Sequence, residues 1–380
     1  MGGVVYMTNV VGALAQLPAS KRPELHLIHD GAADRGELEH TGGELASEET
    51  YNVRGEVNLR ALLKNLIRAR QPRTLATAVA ATGAAVLFPS QGALGREFPI
   101  PWVGWIPDLQ HRRHPEFFAD SVRRFRDRRI DALLHEADHL VVNSEASLHD
   151  LARYFEVDRS RVSVLRFSCV PHSGWWVPDA RETAAAMGLP AKYIMLPSQF
   201  WVHKNHRIVF EAMKLLAADG LSDVHLVCTG HSRDYRWPHH YERLVDYVRQ
   251  NELTETVHLL GLLPRTNQIQ LMRASTAVIQ ASLSEGWSAL VEDARALGKR
   301  VYLSDLDVHR EQSGGGLEAR FFPAMDARRL ARLIADDWDD LEPGPNADHE
   351  AEARREIPAR VSAFAGDVLD VLNRAIEARG

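Results

Sequence analysis

Two carboxylates and one lysine carry most of the chemistry legible in this chain. The stretch from Ser282 to Gly298 reads SLSEGWSALVEDARALG, with Glu285 and Asp293 eight residues apart. If most of that interval is helical, the rise is about 12 Å at about 1.5 Å per residue. That span fits the distance from a hexose to the ribose of a sugar nucleotide. A helix start between the two acids would offer backbone N–H groups to phosphate. A helix carrying only acidic capping charge reads the same way, so the stretch decides nothing alone.

Lys204 is the second signal. Only six of the 45 basic residues are lysine, and this one lies in QFWVHKNH, Gln199 to His206. The segment falls between a strand pattern and a helix pattern. A lysine just ahead of a helix N-terminus can neutralise a diphosphate that the helix N–H groups also bind. The competing reading is a solvated lysine with Asn205 capping the helix. A third polar concentration, PDLQHRRHPEFF at 107–118, holds Asp108, His111 and His114 beyond a strand's carboxyl end. Open α/β sheets bind ligands at that edge. These histidines suit hydroxyl contacts or proton transfer, or one of them is structural. No further ligands complete a zinc set with them, so no metal is expected. Asp305-Leu306-Asp307 has no companion acids and reads as loop.

Such residues need a frame of alternating strands and helices. Apolar runs predict strands at 25–29, 84–88, 102–106, 137–143, 162–167, 193–196, 224–228, 257–260, 277–280 and 300–303. Helical periods predict helices at 5–17, 58–70, 118–136, 144–155, 205–218, 241–250, 266–274, 288–298, 326–338 and 357–378. Residues 30–53 are polar and Gly-rich and read as loop. Residues 170–190, with Pro171, Pro178, Pro190 and the Trp175–Trp176 pair, read as a linker between two βα series. Alternation of this kind argues for parallel sheets, twice over. The order at the start is unusual: Gly2–Gly3 and a helix precede the first strand, as if the leading strand of an α/β domain were missing.

A chain of 380 residues exceeds one ordinary core. Net charge is −6 and neither half is strongly basic, which argues against nucleic acid as partner. Two cysteines, Cys169 and Cys228, make neither a disulfide framework nor a Cys-based zinc site. No apolar run reaches the ~18–20 residues of a membrane span. A cytoplasmic location fits, peripheral at the inner membrane face at most. The Arg-rich helix at 118–136 suits anionic headgroups by its arginines, but Asp120, Asp127 and Asp131 interrupt the charge. A solvated face or an interdomain contact is the expectation there.

Taken together, ADHLVVNSEASLHDL, LPSQFWVHKNH, the strand ending at Gly261, SLSEGWSALVEDARALGKRV and SDLDVHREQ resemble the family-4 retaining glycosyltransferases of GT-B architecture. The resemblance is best over residues 137–338. It implies two Rossmann-like domains with parallel sheets facing across a cleft: an acceptor domain at 1–175, a donor domain at 176–350, and a C-terminal helix at 351–380 returning to the first. It implies transfer of a hexose from a UDP- or GDP-sugar to a glycan, lipid-linked or small-molecule acceptor. No cofactor or metal is implied; the nucleotide sugar is a co-substrate.

Carried over by position, Glu285 would bind donor-sugar hydroxyls, Asp293 the ribose and Lys204 the diphosphate. Backbone at Gly261 to Leu263 would contact the base. Gly286, Trp287 and Ser288 would meet phosphates or sugar. Gly2 and Gly3 would let an N-terminal loop approach the reacting centre. Three departures stand out. Asp293 replaces a glutamate, and its neighbour Glu292 points about 100° away on a helix. The family's frequent arginine falls at Ser198, beside Gln199, leaving Arg265 as the expected compensating charge. The usual His-Asp pair appears as Pro107-Asp108, with His111 as first substitute and His114 as second. A nucleotide-sugar epimerase of the same architecture and a non-catalytic sugar-nucleotide-binding subunit remain as alternatives. A pyridine-nucleotide dehydrogenase is disfavoured because no G-x-G-x-x-G follows a strand.

Overall fold

The computed structural model describes residues 2–29, 45–50, 73–177 and 179–380. They fall into two compact units, Met1–Val170 with Ala359–Gly380, and Pro171–Pro358. The helix expected at 58–70 lies outside the described residues.

In the first unit, α1 (Gly2–Ala15) buries Tyr6, Val10, Val11 and Leu14 on one face. It begins at Gly2, so Gly2 and Gly3 sit in a helical first turn, which corrects the expectation that they lie in a loop. Among the described residues no strand precedes this helix. Next come β1 (Leu25–His29) and β2 (Leu45–Thr50), paired in parallel. Strand β2 corrects the reading of 30–53 as all loop. Its sequence, LASEET, carries too few apolar residues to show as a strand by composition. Then follow α2 (Arg73–Thr82), β3 (Leu87–Ser90), β4 (Trp102–Ile106), α3 (Gln110–Arg113), α4 (Asp120–Glu136), β5 (His139–Val142), α5 (Glu145–Tyr154) and β6 (Val162–Val164). The sheet order is β3-β4-β5-β6, all parallel. Every residue of β4 and β5 is buried, as continuous apolar runs in a parallel sheet covered on both faces should be. Ser144 caps α5 as expected, its hydroxyl accepting from Ser147 N at 3.0 Å.

The second unit runs α6 (Ala180–Ala186), β7 (Ile194–Pro197), α7 (His206–Ala218), β8 (Leu226–Thr229), α8 (His240–Gln250), β9 (Val257–Gly261), α9 (Arg265–Ala274) and β10 (Ala277–Gln280). It continues with α10 (Ala289–Ala296), β11 (Arg300–Ser304), α11 (Asp307–Gln312), β12 (Ala319–Phe322), α12 (Ala327–Trp338) and the start of α13 (Ala347–Glu377). Its parallel sheet has the order β12-β11-β10-β7-β8-β9. The chain therefore builds outward from β7 in one direction, returns, and builds outward from β10 in the other. The crevice between the carboxyl ends of β7 and β10 is the topological switch point, where such sheets bind ligands. Phe200, Phe210, Tyr302, Phe322 and Trp338 fill the core of this unit.

The described residues of 170–190, expected as a linker, include a 3₁₀ turn and a short helix. Trp175 is buried, its carbonyl accepting from Gln270 Nε2 at 2.9 Å, and α6 follows with Asp179 as its cap. Asp307 likewise opens α11 rather than lying in a loop. Helix α13 begins ten residues before the expected start and continues through Pro358. Its first turns look like polar linker because their chief buried residue is an acid. Glu350 accepts from Arg273 Nε at 2.8 Å and Nη2 at 3.0 Å. Further along, Val361, Phe364, Val368, Val371 and Ala375 form the apolar stripe. Arg379 then ties the chain end to the first unit, donating to Asp138 Oδ1 at 2.9 Å and Phe98 O at 2.5 Å.

Beside Arg273, Lys299 is buried and donates to the carbonyls of Arg273 (2.5 Å) and Ser275 (2.7 Å). Burial pushes its amine down to about 7, against the opposing pull of Glu350 and with some help from Arg273. A neutral amine has two N–H donors, enough for both carbonyls. Because the folded value lies below the unfolded one, the unfolded chain binds more protons from about pH 7 up to the ordinary lysine range, and stability rises with pH across that window. Urea unfolding of the wild type and Lys299→Met at pH 7 and about pH 9.5 tests this. The wild type should gain on the variant at the higher pH; a pH-independent difference would refute it.

Candidate functional site

The second unit concentrates the predicted donor-side residues at its switch point. Lys204 follows β7 and Glu285 follows β10, and their side chains meet with Nζ to Oε1 at 2.5 Å. Both are largely buried, with side chains 18% and 10% exposed. A three-residue 3₁₀ turn positions the lysine: Val202–Lys204 ends on Asn205 in the left-handed region (φ 58°). Asn205 stands at the N-cap position of α7, but its side chain makes no capping bond. Its Nδ2 donates to the carbonyls of Ala281 (3.2 Å) and Ala324 (2.8 Å), joining the loop after β7 to the loops after β10 and β12. Leu283 N donates to His203 O at 2.7 Å across the same gap. Gly230, at the end of β8, has φ 147°, and a Cβ there would strike the Ser198 carbonyl. Only glycine lets these two strand ends approach so closely.

Glu285 is held by more than Lys204. Gln280, the last residue of β10, donates from Nε2 to Glu285 Oε1 at 3.0 Å and to Ser288 Oγ at 2.7 Å. Its Oε1 accepts from Ser198 Oγ at 3.2 Å. Ser288 caps α10, its hydroxyl accepting from Val291 N at 3.4 Å. Gln312 Nε2 donates to Ser288 O (2.9 Å) and Glu292 Oε1 (3.0 Å), and its Oε1 accepts from Ser288 N. Glu292 is thus part of the frame, and Gly286, Trp287 and Ser288 lie between Glu285 and the helix start. Gln280 and Gln312 escaped the sequence reading. The available signal was a buried-strand pattern, AVIQ, ending on an amide that must find partners.

Asp293 sits within α10, 4% exposed at its side chain, and accepts from Arg265 Nη2 at 2.6 Å. Arg265 opens α9, just past Gly261 and Leu263, and lies over Trp175 at 5.3 Å. The charge expected to offset a missing phosphate arginine is therefore engaged with the second acid. Gly261 adopts φ 68° with open space where a Cβ would be. Gln199 lies between β7 and Lys204, its carbonyl accepting from Trp201 N at 2.7 Å.

The first unit brings Asp108, His111 and His114 onto and beside α3. Asp108 Oδ1 accepts from Gln110 N (2.9 Å) and Arg126 Nη2 (2.8 Å). His111 is fully buried, its Nε2 3.0 Å from Asp127 Oδ1 and its Nδ1 without a partner among the described residues. Burial and Arg126 hold its pKa below the ordinary value, against Asp127 and Asp108. His114 is stacked on Phe117 (5.1 Å between ring centres) and bonded to Glu116. Two α4 arginines enter ion pairs within the unit: Arg126 with Asp108, and Arg123 with Asp120. Among the described residues no group of three or more His, Cys, Asp or Glu could hold a metal ion, and no helix is long and apolar enough to cross a membrane.

Two α/β units with parallel sheets match the fold of GT-B glycosyltransferase structures. Residues 188–343 match the family model described as "Glycosyl transferases group 1". Among solved structures, the chain is similar to Anabaena Alr3699/HepE in complex with UDP and glucose: TM-score 0.71, 16% identity, covering 98% of this chain and 96% of that one. It is also similar to sucrose-phosphate synthase from Thermosynechococcus elongatus (TM-score 0.59, 16% identity, 93% and 97% covered). A third is the UDP-forming α,α-trehalose-phosphate synthase from Burkholderia xenovorans (TM-score 0.56, 13% identity, 78% and 70% covered). No curated protein matches the sequence.

Proposed function

We propose that this protein is a retaining glycosyltransferase, moving a hexose from a UDP- or GDP-sugar to a glycan, lipid-linked or small-molecule acceptor. The observation that carries this reading is the Lys204–Glu285 pair at the switch point of a group 1 glycosyltransferase domain. The complexes of the HepE protein with UDP and with UDP-glucose support a uridine donor. In the proposed reaction Lys204 leaves Glu285 for the diphosphate, and the N–H groups at the start of α10 share its charge. Glu285 turns to the hydroxyls of the transferred sugar. Asp293, steered by Arg265, meets the ribose. The bond from C1 to the leaving phosphate oxygen breaks, and the acceptor oxygen attacks the same face. The acceptor proton passes to the departing phosphate oxygen. Lys204 and the helix start supply the charge stabilisation, so the step as proposed draws on no metal ion. His111 is the residue we propose for the acceptor side, with Asp108 accepting from Gln110 N at the start of the short helix that carries it.

Product analysis by NMR tests the reading. Supplying UDP- and GDP-sugars with candidate acceptors should give a glycoside whose anomeric configuration matches the donor. An inverted linkage would remove the retaining mechanism. A changed sugar with no acceptor present would make the protein an epimerase instead.

A further inference from the structure

His309 is a buried residue that nothing in the proposed reaction uses. It lies on α11, is fully buried, and its Nδ1 is 2.8 Å from Ser304 O. A carbonyl oxygen only accepts, so Nδ1 carries the proton and donates. In a neutral ring that leaves Nε2 as a bare acceptor. Burial holds the ring neutral, lowering its pKa despite the opposing pull of Glu285; Lys204 acts in the same direction as burial. The field of both members of the ion pair thus reaches this imidazole. Nε2 has no partner among the described residues.

A second orphan lies alongside. Ser304 Oγ donates to Ser282 O at 2.6 Å and sits 3.3 Å from His309 Nδ1. Ser282, buried three residues before Glu285, has a hydroxyl without a partner among the described residues. Buried polar atoms are almost always paired, and each left unpaired costs about 1–3 kcal/mol. Two buried atoms on residues joined through Ser304 thus have no polar partner among the described residues, a demand that a hydroxyl-bearing ligand could meet.

We propose that His309 Nε2 accepts a hydrogen bond from a hydroxyl of the transferred sugar, making His309 a specificity-determining residue of the donor subsite. The proposal rests on the glycosyltransferase reading above. It adds the requirement that the donor sugar carry a free hydroxyl at the position facing His309. The nucleoside diphosphate does not touch this nitrogen. Glu285 and His309 are both acceptors, so the subsite favours a neutral, hydroxyl-bearing hexose over a uronic acid, whose carboxylate has no proton to offer.

The test compares His309→Asn with the wild type by calorimetric titration of UDP against UDP-glucose, and of GDP against GDP-mannose. An asparagine amide can keep the donor to Ser304 O while deleting the acceptor. Nucleoside diphosphate affinity should stay within about twofold, and nucleotide-sugar affinity should fall about tenfold. His309→Gln, which returns an acceptor near the Nε2 position, should recover part of the loss. An unchanged ratio of the two affinities, or an equal loss of both, overturns the proposal and leaves the transferase reading intact. A wild type that binds no nucleotide or nucleotide sugar overturns both. Should His309→Asn not fold, deoxy analogues of the bound nucleotide sugar replace it. One position should lose about tenfold, with that hydroxyl within hydrogen-bond distance of Nε2 in the donor complex. A water on Nε2 instead, or no sensitive position, overturns the proposal.

Discussion

Glu285→Gln should lower glycosyl transfer by about 10²- to 10³-fold, the range for removing one preorganised electrostatic group from an active site. Nucleoside diphosphate should bind at least as tightly as to the wild type. The second half of this expectation follows from the ion pair. Lys204 is held by Glu285 at 2.5 Å. A diphosphate must compete with that carboxylate for the lysine. Glutamine keeps the shape and can still bond to Gln280, but it no longer holds the charge. The effect therefore divides: turnover falls while UDP or GDP binding holds or improves. Lys204→Met should show the opposite division, with nucleotide binding weakened. Steady-state kinetics and nucleotide titration of the two variants check this. Unchanged turnover in Glu285→Gln, or parallel loss of turnover and nucleotide binding, would remove Glu285 from the proposed role.

Arg273→Met should destabilise the fold by about 3–5 kcal/mol, because it strands a buried carboxylate. Arg273 is 7% exposed and grips Glu350 through two bonds, at 2.8 and 3.0 Å. It also donates to Gln270 Oε1 at 2.8 Å and Trp175 O at 3.3 Å. Three separate pieces of the second unit thus converge on one guanidinium: α9, the turn at Trp175, and the first turns of α13. Without it Glu350 stays in a low-dielectric site that it shares electrostatically with Lys299, whose amine burial pushes down to about 7. The melting temperature should drop by on the order of 10 °C. Arg273→Met combined with Glu350→Leu should recover most of that loss, since removing both charges of a buried pair is far cheaper than removing one. If the single variant melts within about a degree of the wild type, the network is not holding these segments.

The parts of the fold that were legible in the sequence share one property: their local pattern coincides with their burial. The strands at 102–106, 194–197 and 277–280 are unbroken apolar runs, and buried parallel strands require such runs. The elements that escaped are those whose stability comes from distant partners. Strand β2 is polar and is defined by its ladder to β1. Strand β12 (ARFF) is defined by its ladder to β11. The start of α13 is anchored by Arg273, far away in sequence. Asn205 illustrates the same limit. A residue before a helix reads as a cap, yet its left-handed backbone and its bonds to Ala281 and Ala324 serve loops that the local sequence does not mention.

At the site, the sequence by itself determined which side chains are chemically able: a rare lysine before a helix, and Glu285 and Asp293 spaced along another. Those are properties of residue type and short-range spacing, set by helix geometry. That Lys204 and Glu285 touch, although 81 residues apart, was decided only by the tertiary structure. Contact between them depends on β7 and β10 being neighbours in the order β12-β11-β10-β7-β8-β9. Strand order is a choice among long-range pairings of similar apolar strands, and no local pattern encodes it. The same holds for Arg265 meeting Asp293, and for the bare nitrogen of His309 beside the ion pair. Chemistry was written in the residues; its assembly into a site waited on which strands lie side by side.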